Sequence, residues 1–317
     1  MPFSGVESPE CFLPIYRVVH RITCHRLLIT STAHIMLERL PTELVLAVFR
    51  EAAESFVISD RPFVLAIALT NRLAYNTVES ILLRRITVID NNTEAIQGIL
   101  GDARRAALIL DVTLASNWDP PRAIFCNLTK LQCLRGYPVD IASAISGLPS
   151  SGLTSLYKIQ VWGAEPPPVV PPSVSHLCYY KAYPGFPPLG YMVDWVTKTP
   201  TITHLGCELV SRGDVPIAKD FTPEMLTHGL HALFTKSGQN LCEVSIRLCG
   251  EVFTTPSNWT RFVEALRREG WAERVRLWRD SRNIRDASID LNASISDSFS
   301  GVDVWSEARP LLAFICE

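Results

Sequence analysis

The chain has 317 residues, of which 47% are hydrophobic and 20% charged, and its formal net charge is -2. That apolar content excludes a disordered chain, and the near-neutral charge excludes the generally basic surface that nucleic-acid binding needs. The length suffices for a sizeable core, as one large domain or as a small domain followed by a larger one. The nine cysteines form no C-x-x-C pair, so zinc-ribbon spacing is missing. Buried, reduced thiols of a cytoplasmic and/or nuclear protein are expected instead. No uninterrupted apolar stretch reaches the roughly 18 residues of a transmembrane helix, so no membrane partner is expected.

Residues 1–37 come first. Within them CFLPIYRVVHRITCHRLLITSTAHIML is apolar but interrupted by arginines and histidines. Arg-rich, acid-poor leaders suit mitochondrial import, but Glu7 and Glu10 argue against one here. This N-terminal segment is expected to be poorly ordered, with Met36 as an alternative start.

The next stretch, ERLPTELVLAVFREAAES (residues 38–55), begins a helix. Pro41 suits a first turn, where a missing N–H costs nothing, and Glu43 favours the positive end of the helix dipole. Val45, Val48, Phe49 and Ala52 share one face by three-and-four spacing, whereas Leu44, Leu46 and Ala47 fall off it. Asp60-Arg61-Pro62 then breaks the chain. A second helix is expected across Phe63–Leu83, with Phe63, Ile67, Ala74, Val78, Ile81 and Leu82 inward. Ile86–Ile89 alternates and is β-branched, which predicts a short strand. Residues 38–84 should thus form a helical unit too small to bury all its own apolar surface.

From residue 85 to residue 317 the character changes. An apolar-x-x-Leu-x-x-apolar pattern recurs as LTKLQCL, LTSLYKI, VSHLCYY, ITHLGCE and LCEVSIR, with a looser copy in ALILDVT. The fourth positions are Leu110, Leu131, Leu156, Leu177, Leu205 and Val244. Most of their intervals fall in the roughly 20–29 residues of leucine-rich repeats. Helix-like connectors separate them (TEAIQGILGDARR, VDIASAISG, GYMVDWVTKT, FTPEMLTHGLHALFTKS, NWTRFVEALRREG), except EPPPVVPPSV, which should be an extended linker. The expectation is α+β or α/β overall: a small helical unit followed by an irregular leucine-rich-repeat-like β–α solenoid, each unit burying its apolar face on the next.

The first unit also resembles a known family. LPTELVLAVF followed by FVLAIALTNRLAYNTVESILLRRITV is similar to the F-box, and particularly to the F-box-like proteins of mushroom-forming fungi. The matching residues are Leu40-Pro41-Thr42-Glu43-Leu44, Val48-Phe49, Ala66 to Arg72, and Ile81-Leu82 to Val88. Leu82-Leu83 stands where the family often has tryptophan. The resemblance implies a substrate-recognition subunit of an SCF-type cullin-RING ubiquitin ligase. The F-box would dock on the Skp-type adaptor through Leu40, Pro41, Leu44, Val48, Phe49, Ile67 and Leu69. The repeats would bind a protein substrate of unknown identity. The alternative is a non-catalytic, leucine-rich-repeat-like protein-binding scaffold without ligase recruitment.

Chemistry is sparse elsewhere. Glycine-rich phosphate loops and the nucleophile elbow are missing. Glu224, His228 and His231 share a helix face by spacing but not as H-E-x-x-H, and solvated or capping histidines are the plainer reading there, as for His20, Cys24 and His25. No catalytic residue, metal or cofactor is expected, since partner subunits would perform the ligase reaction. The tract RREGWAERVRLWRDSRNIRD sets arginines beside tryptophans. Arg274, Arg276, Arg279 and Trp278 are its candidates for an acidic partner, because guanidinium groups beside aromatic rings suit carboxylates and phosphates. A solvated, salt-bridged face is the plainer alternative.

Overall fold

The computed structural model describes residues 41–57, 60–115, 122–162, 169–182, 189–210, 222–236, 240–249, 255–271, 273–280 and 304–314. Residues 1–37, with His20, Cys24 and His25 among them, and Leu40 lie outside these. The chain divides into two compact units between Leu83 and Arg84.

The first unit holds three helices, α1 (Thr42–Phe56), α2 (Arg61–Ala68) and α3 (Arg72–Leu83). Pro41 sits just before α1 rather than inside it, and its carbonyl accepts from the Leu44 and Val45 amides. The single helix expected over Phe63–Leu83 is in fact two. Asn71 Oδ1 accepts from the Ala74 amide at 2.8 Å and so starts α3 afresh. The supposed break at Asp60-Arg61-Pro62 is a helix start for the same reason: Asp60 Oδ1 accepts from the Phe63 amide, with Pro62 in the first turn. A small core of Ala53, Val64, Ile67, Ala68, Val78, Ile81 and Leu82 joins the three helices.

The second unit is mixed α/β. Its strands are β1 (Arg85–Val88), β2 (Asp111–Leu114), β3 (Cys133–Gly136), β4 (Lys158–Trp162), β5 (His176–Ala182), β6 (His204–Val210), β7 (Glu243–Cys249), β8 (Val275–Asp280) and β9 (Arg309–Pro310). They form one sheet in sequence order, parallel throughout except for the β8–β9 pair. Parallel neighbours need crossover connections. Here these are α4 (Thr93–Gly101), α5 (Ala103–Ala106), α6 (Pro138–Gly147), α7 (Ser150–Ser155), α8 (Gly190–Lys198), α9 (Pro223–Lys236) and α10 (Pro256–Arg268). A last helical turn, α11 (Val304–Glu307), precedes β9. The described end of the proline-rich connector, residues 169–174, is neither helix nor strand. The Ser173 hydroxyl ties it to the Leu153 and Leu156 carbonyls.

The register of the repeats differs from the sequence alignment. Ile86, Val112, Leu134, Ile159, Leu177, Leu205, Val244 and Val275 stand side by side on the strands. Three residues earlier, Ile109, Leu131, Leu156, Val174, Ile202 and Leu241 are fully buried ahead of their strands. The aligned fourth positions therefore mix two places. Leu131 and Leu156 precede β3 and β4, while Leu177, Leu205 and Val244 lie within β5, β6 and β7. Leu110 is half-buried, and its neighbour Ile109 takes the buried place.

Candidate protein-binding surfaces

Exposed apolar residues concentrate on the helical unit. Leu44 and Val48 of α1 are 52% and 48% exposed, and Leu65 and Leu69, in α2 and at its C-terminal cap, are 40% and 57% exposed. Each pair is four residues apart, hence one turn apart on one helix face. Leu73 at the start of α3 and Phe56 at the end of α1 are exposed as well. Of the residues expected to dock a partner, Pro41, Leu44, Val48 and Leu69 lie at the surface, and Phe49 is half-buried against the small core. Ile67 is buried within that core, so its face of α2 turns inward. Leu65 and Leu73 were missed, although Leu65 stands one helical turn before Leu69.

The second unit has two unlike sheet faces, because successive side chains of a strand point to opposite sides. One face is apolar and meets the connecting helices in a single long core. The other is polar at both ends. Near β1–β4, Asp111 accepts from Arg85 Nε at 3.0 Å and from Arg135, whose Nε also donates to Gln160. Near β6–β8, Arg247 is 1% exposed; its Nη1 donates to Glu208 at 2.9 Å and its Nε to Asp280 at 3.0 Å. The Trp278 ring covers the Arg247 guanidinium at 4.1 Å.

Between these ion networks the face becomes aromatic and small. His176 and His204 stack at 4.1 Å with planes 3° apart. Each ring is held through its Nδ1 by the hydroxyl of the preceding residue, Ser175 or Thr203. Trp162, Cys178 and Val304 form a separate buried cluster there.

The described residues of the arginine tract spread over both faces of the sheet. VRLWRD forms β8, whose period of two sends its residues to both faces. Arg274 donates to the Leu241 carbonyl and lies over the Phe234 ring. Arg276 pairs with Glu243 at 3.8 Å, and Trp278 packs on Arg247. Arg279 lines a cleft of about 430 Å³ beside α10, with Trp259, Arg267 and Phe314, and shares a smaller one of about 250 Å³ with Trp278 and Arg309.

Among the described residues, no three His, Cys, Asp or Glu side chains gather as a metal site. The Glu224 carboxyl is held below its usual range by a backbone N–H and by the Thr222 hydroxyl. No helix among these residues is long and apolar enough to cross a membrane. Burial, reinforced by Glu208, pushes the Cys207 thiol up to about 12. Because the thiolate is the nucleophile, Cys207 should resist alkylation at pH 8 in the native chain, whereas the exposed Cys126 and Cys242 should react within minutes. Peptide mapping after a short maleimide pulse checks this.

No family model, no curated protein and no solved structure matches the chain.

Proposed function

We propose that this chain is a substrate receptor of an SCF-type cullin-RING ubiquitin ligase. The helical unit docks on the Skp-type adaptor, and the sheet unit, an irregular leucine-rich-repeat-like array, holds a protein substrate. The observation that carries the reading is the pair of exposed apolar helix turns, Leu44/Val48 and Leu65/Leu69. A helical unit with so small a core gains nothing in its own stability from leaving them in water, and such residues mark protein contacts. The F-box resemblance names the partner. Action in the cytoplasm and/or nucleus goes with that partner.

Binding of the full chain to purified Skp-type adaptor tests the reading. Leu44→Asp with Val48→Asp should weaken binding at least tenfold while the helical content by circular dichroism is kept, since both side chains are already exposed. Wild-type affinity in that variant, or no adaptor binding by the wild type, would overturn the proposal. The second outcome would leave a protein-binding scaffold without ligase recruitment.

A further inference from the structure

The polar face of the sheet already carries a ligand of a kind, a segment of the same chain. Helical turn α11 packs against β6 and β7. Val304 is 1% exposed and sits over the bare backbone of Gly206: a Cβ on that glycine would lie 2.6 Å from Val304 Cγ1 and 2.8 Å from Cys178 Sγ. Gly206 is therefore a notch fitted to a β-branched side chain. Trp305 follows, its ring 5.7 Å from that of His176 at 69° and 4.5 Å beneath the Lys158 ammonium. A notch for an apolar side chain thus stands beside an aromatic and cationic wall, and Val304-Trp305 fills both.

The fit is incomplete in one respect. Gln160 is fully buried and Trp162 is 1% exposed, yet Gln160 Nε2 and Trp162 Nε1 have no hydrogen-bond partner among the described residues. The orientation of the Gln160 amide follows from Arg135, which donates to its Oε1. Two buried donors on β4 are thus left without acceptors, each at a cost of about 1–3 kcal/mol. An extended peptide offers carbonyls at every residue, which a four-residue helical turn engaged in its own bonds does not.

We infer that the sheet face over β4–β7 is a peptide-docking groove, closed in the isolated chain by Val304-Trp305 as a tethered stand-in. Its partner is an extended protein segment with a β-branched residue followed by tryptophan, its backbone carbonyls accepting from Gln160 and Trp162. Displacing the tethered pair is the entry step. This rests on the reading of the sheet unit as the substrate-holding part, but it needs no adaptor, so its failure leaves adaptor docking untouched.

The test uses the full chain and a fluorescent peptide of the sequence GVDVWSEAR, residues 301–309. With Val304→Gly and Trp305→Ala together, the chain should bind this peptide saturably, at least tenfold tighter than wild type. Adding Gly206→Val should abolish the binding. A double variant that binds no better than wild type, or binding indifferent to Gly206→Val, overturns the inference. Thiol labelling serves if the variant folds poorly. Cys178, beneath Val304, should label at least tenfold faster in Trp305→Ala alone than in the unaltered chain, while the exposed Cys126 labels equally in both. Equal labelling of Cys178 in the two chains would show a permanent strap and overturn the inference.

Discussion

Arg247→Met should lower the thermal midpoint of the sheet unit by roughly 6–20 °C. The side chain is 1% exposed and lies between Glu208 and Asp280, themselves 1% and 4% exposed. Methionine fills a similar volume, so the loss is chiefly electrostatic: two carboxylates stay buried without their common cation. Removing one member of a buried ionic set costs about 3–5 kcal/mol, and each kcal/mol shifts the midpoint of a domain this size by roughly 2–4 °C. The companion variant isolates the cause. Arg247→Met with Glu208→Leu and Asp280→Leu removes all three described charges and should recover much of the loss, because apolar replacement of a buried ionic set is close to neutral. If the single variant melts within about 2 °C of wild type by circular dichroism, Arg247 does not bridge the two carboxylates.

That network also shows where sequence reading stops. Arg247 lies 39 residues from Glu208 and 33 from Asp280. Nothing in LCEVSIRLC distinguishes it from a solvated arginine on an exposed strand edge. What the sequence carries is alternation: apolar strands and amphipathic connectors in turn, which is why the β–α succession from Ile86 onward was legible. The register was not. LTKLQCL has apolar residues at three equally spaced places, so sliding the motif by three matches nearly as well, and only strand pairing separates Leu131 from Leu134. The extra break at Leu69–Asn71 had a legible signal, an asparagine ahead of Arg72 at the start of a new apolar period. The face under α11 had none. Val304 and Trp305 sit in a segment without periodicity; Val304 is seated on one glycine, and Trp305 against His176 and Lys158.

Among the described residues, the Arg135 network and the Arg247 network are opposite in balance. The first joins two arginines to one aspartate, and the second joins one arginine to two acids. Placed at the two ends of one sheet face, they leave its middle to Trp162, Cys178, His176, His204 and Gly206. Fixed charges hold the strands at the two ends, on either side of the proposed groove. Of the tract's described candidates, Trp278 and Arg279 line surface clefts, while Arg274 and Arg276 engage the Leu241 carbonyl and Glu243.

Gly152→Ala should destabilise the sheet unit by about 3 kcal/mol, at the upper end of what overpacking a core costs, whereas Gly98→Ala should stabilise it by about 0.5–1 kcal/mol. Both glycines lie in helices, so helix propensity favours alanine at each. Their surroundings decide the sign. Gly98 is exposed in α4, and a methyl group placed on it would have nothing within 4 Å. Gly152 is buried in α7, where a Cβ would come 2.2 Å from the Leu128 carbonyl oxygen and 3.2 Å from Pro149 Cδ. Backbone cannot rotate aside as a flexible side chain would. The C-terminal half of α7 is also pinned: Ser155 donates to the Thr129 carbonyl, and Ser173 donates to the Leu153 and Leu156 carbonyls. Relief of the clash would have to break those bonds and lift Leu156 from the core. Paired urea titrations of the two variants measure the difference. A Gly152→Ala midpoint at or above that of wild type would mean that α7 does not lie against the Leu128 turn, and that adjoining strand units meet more loosely here than their buried leucines indicate.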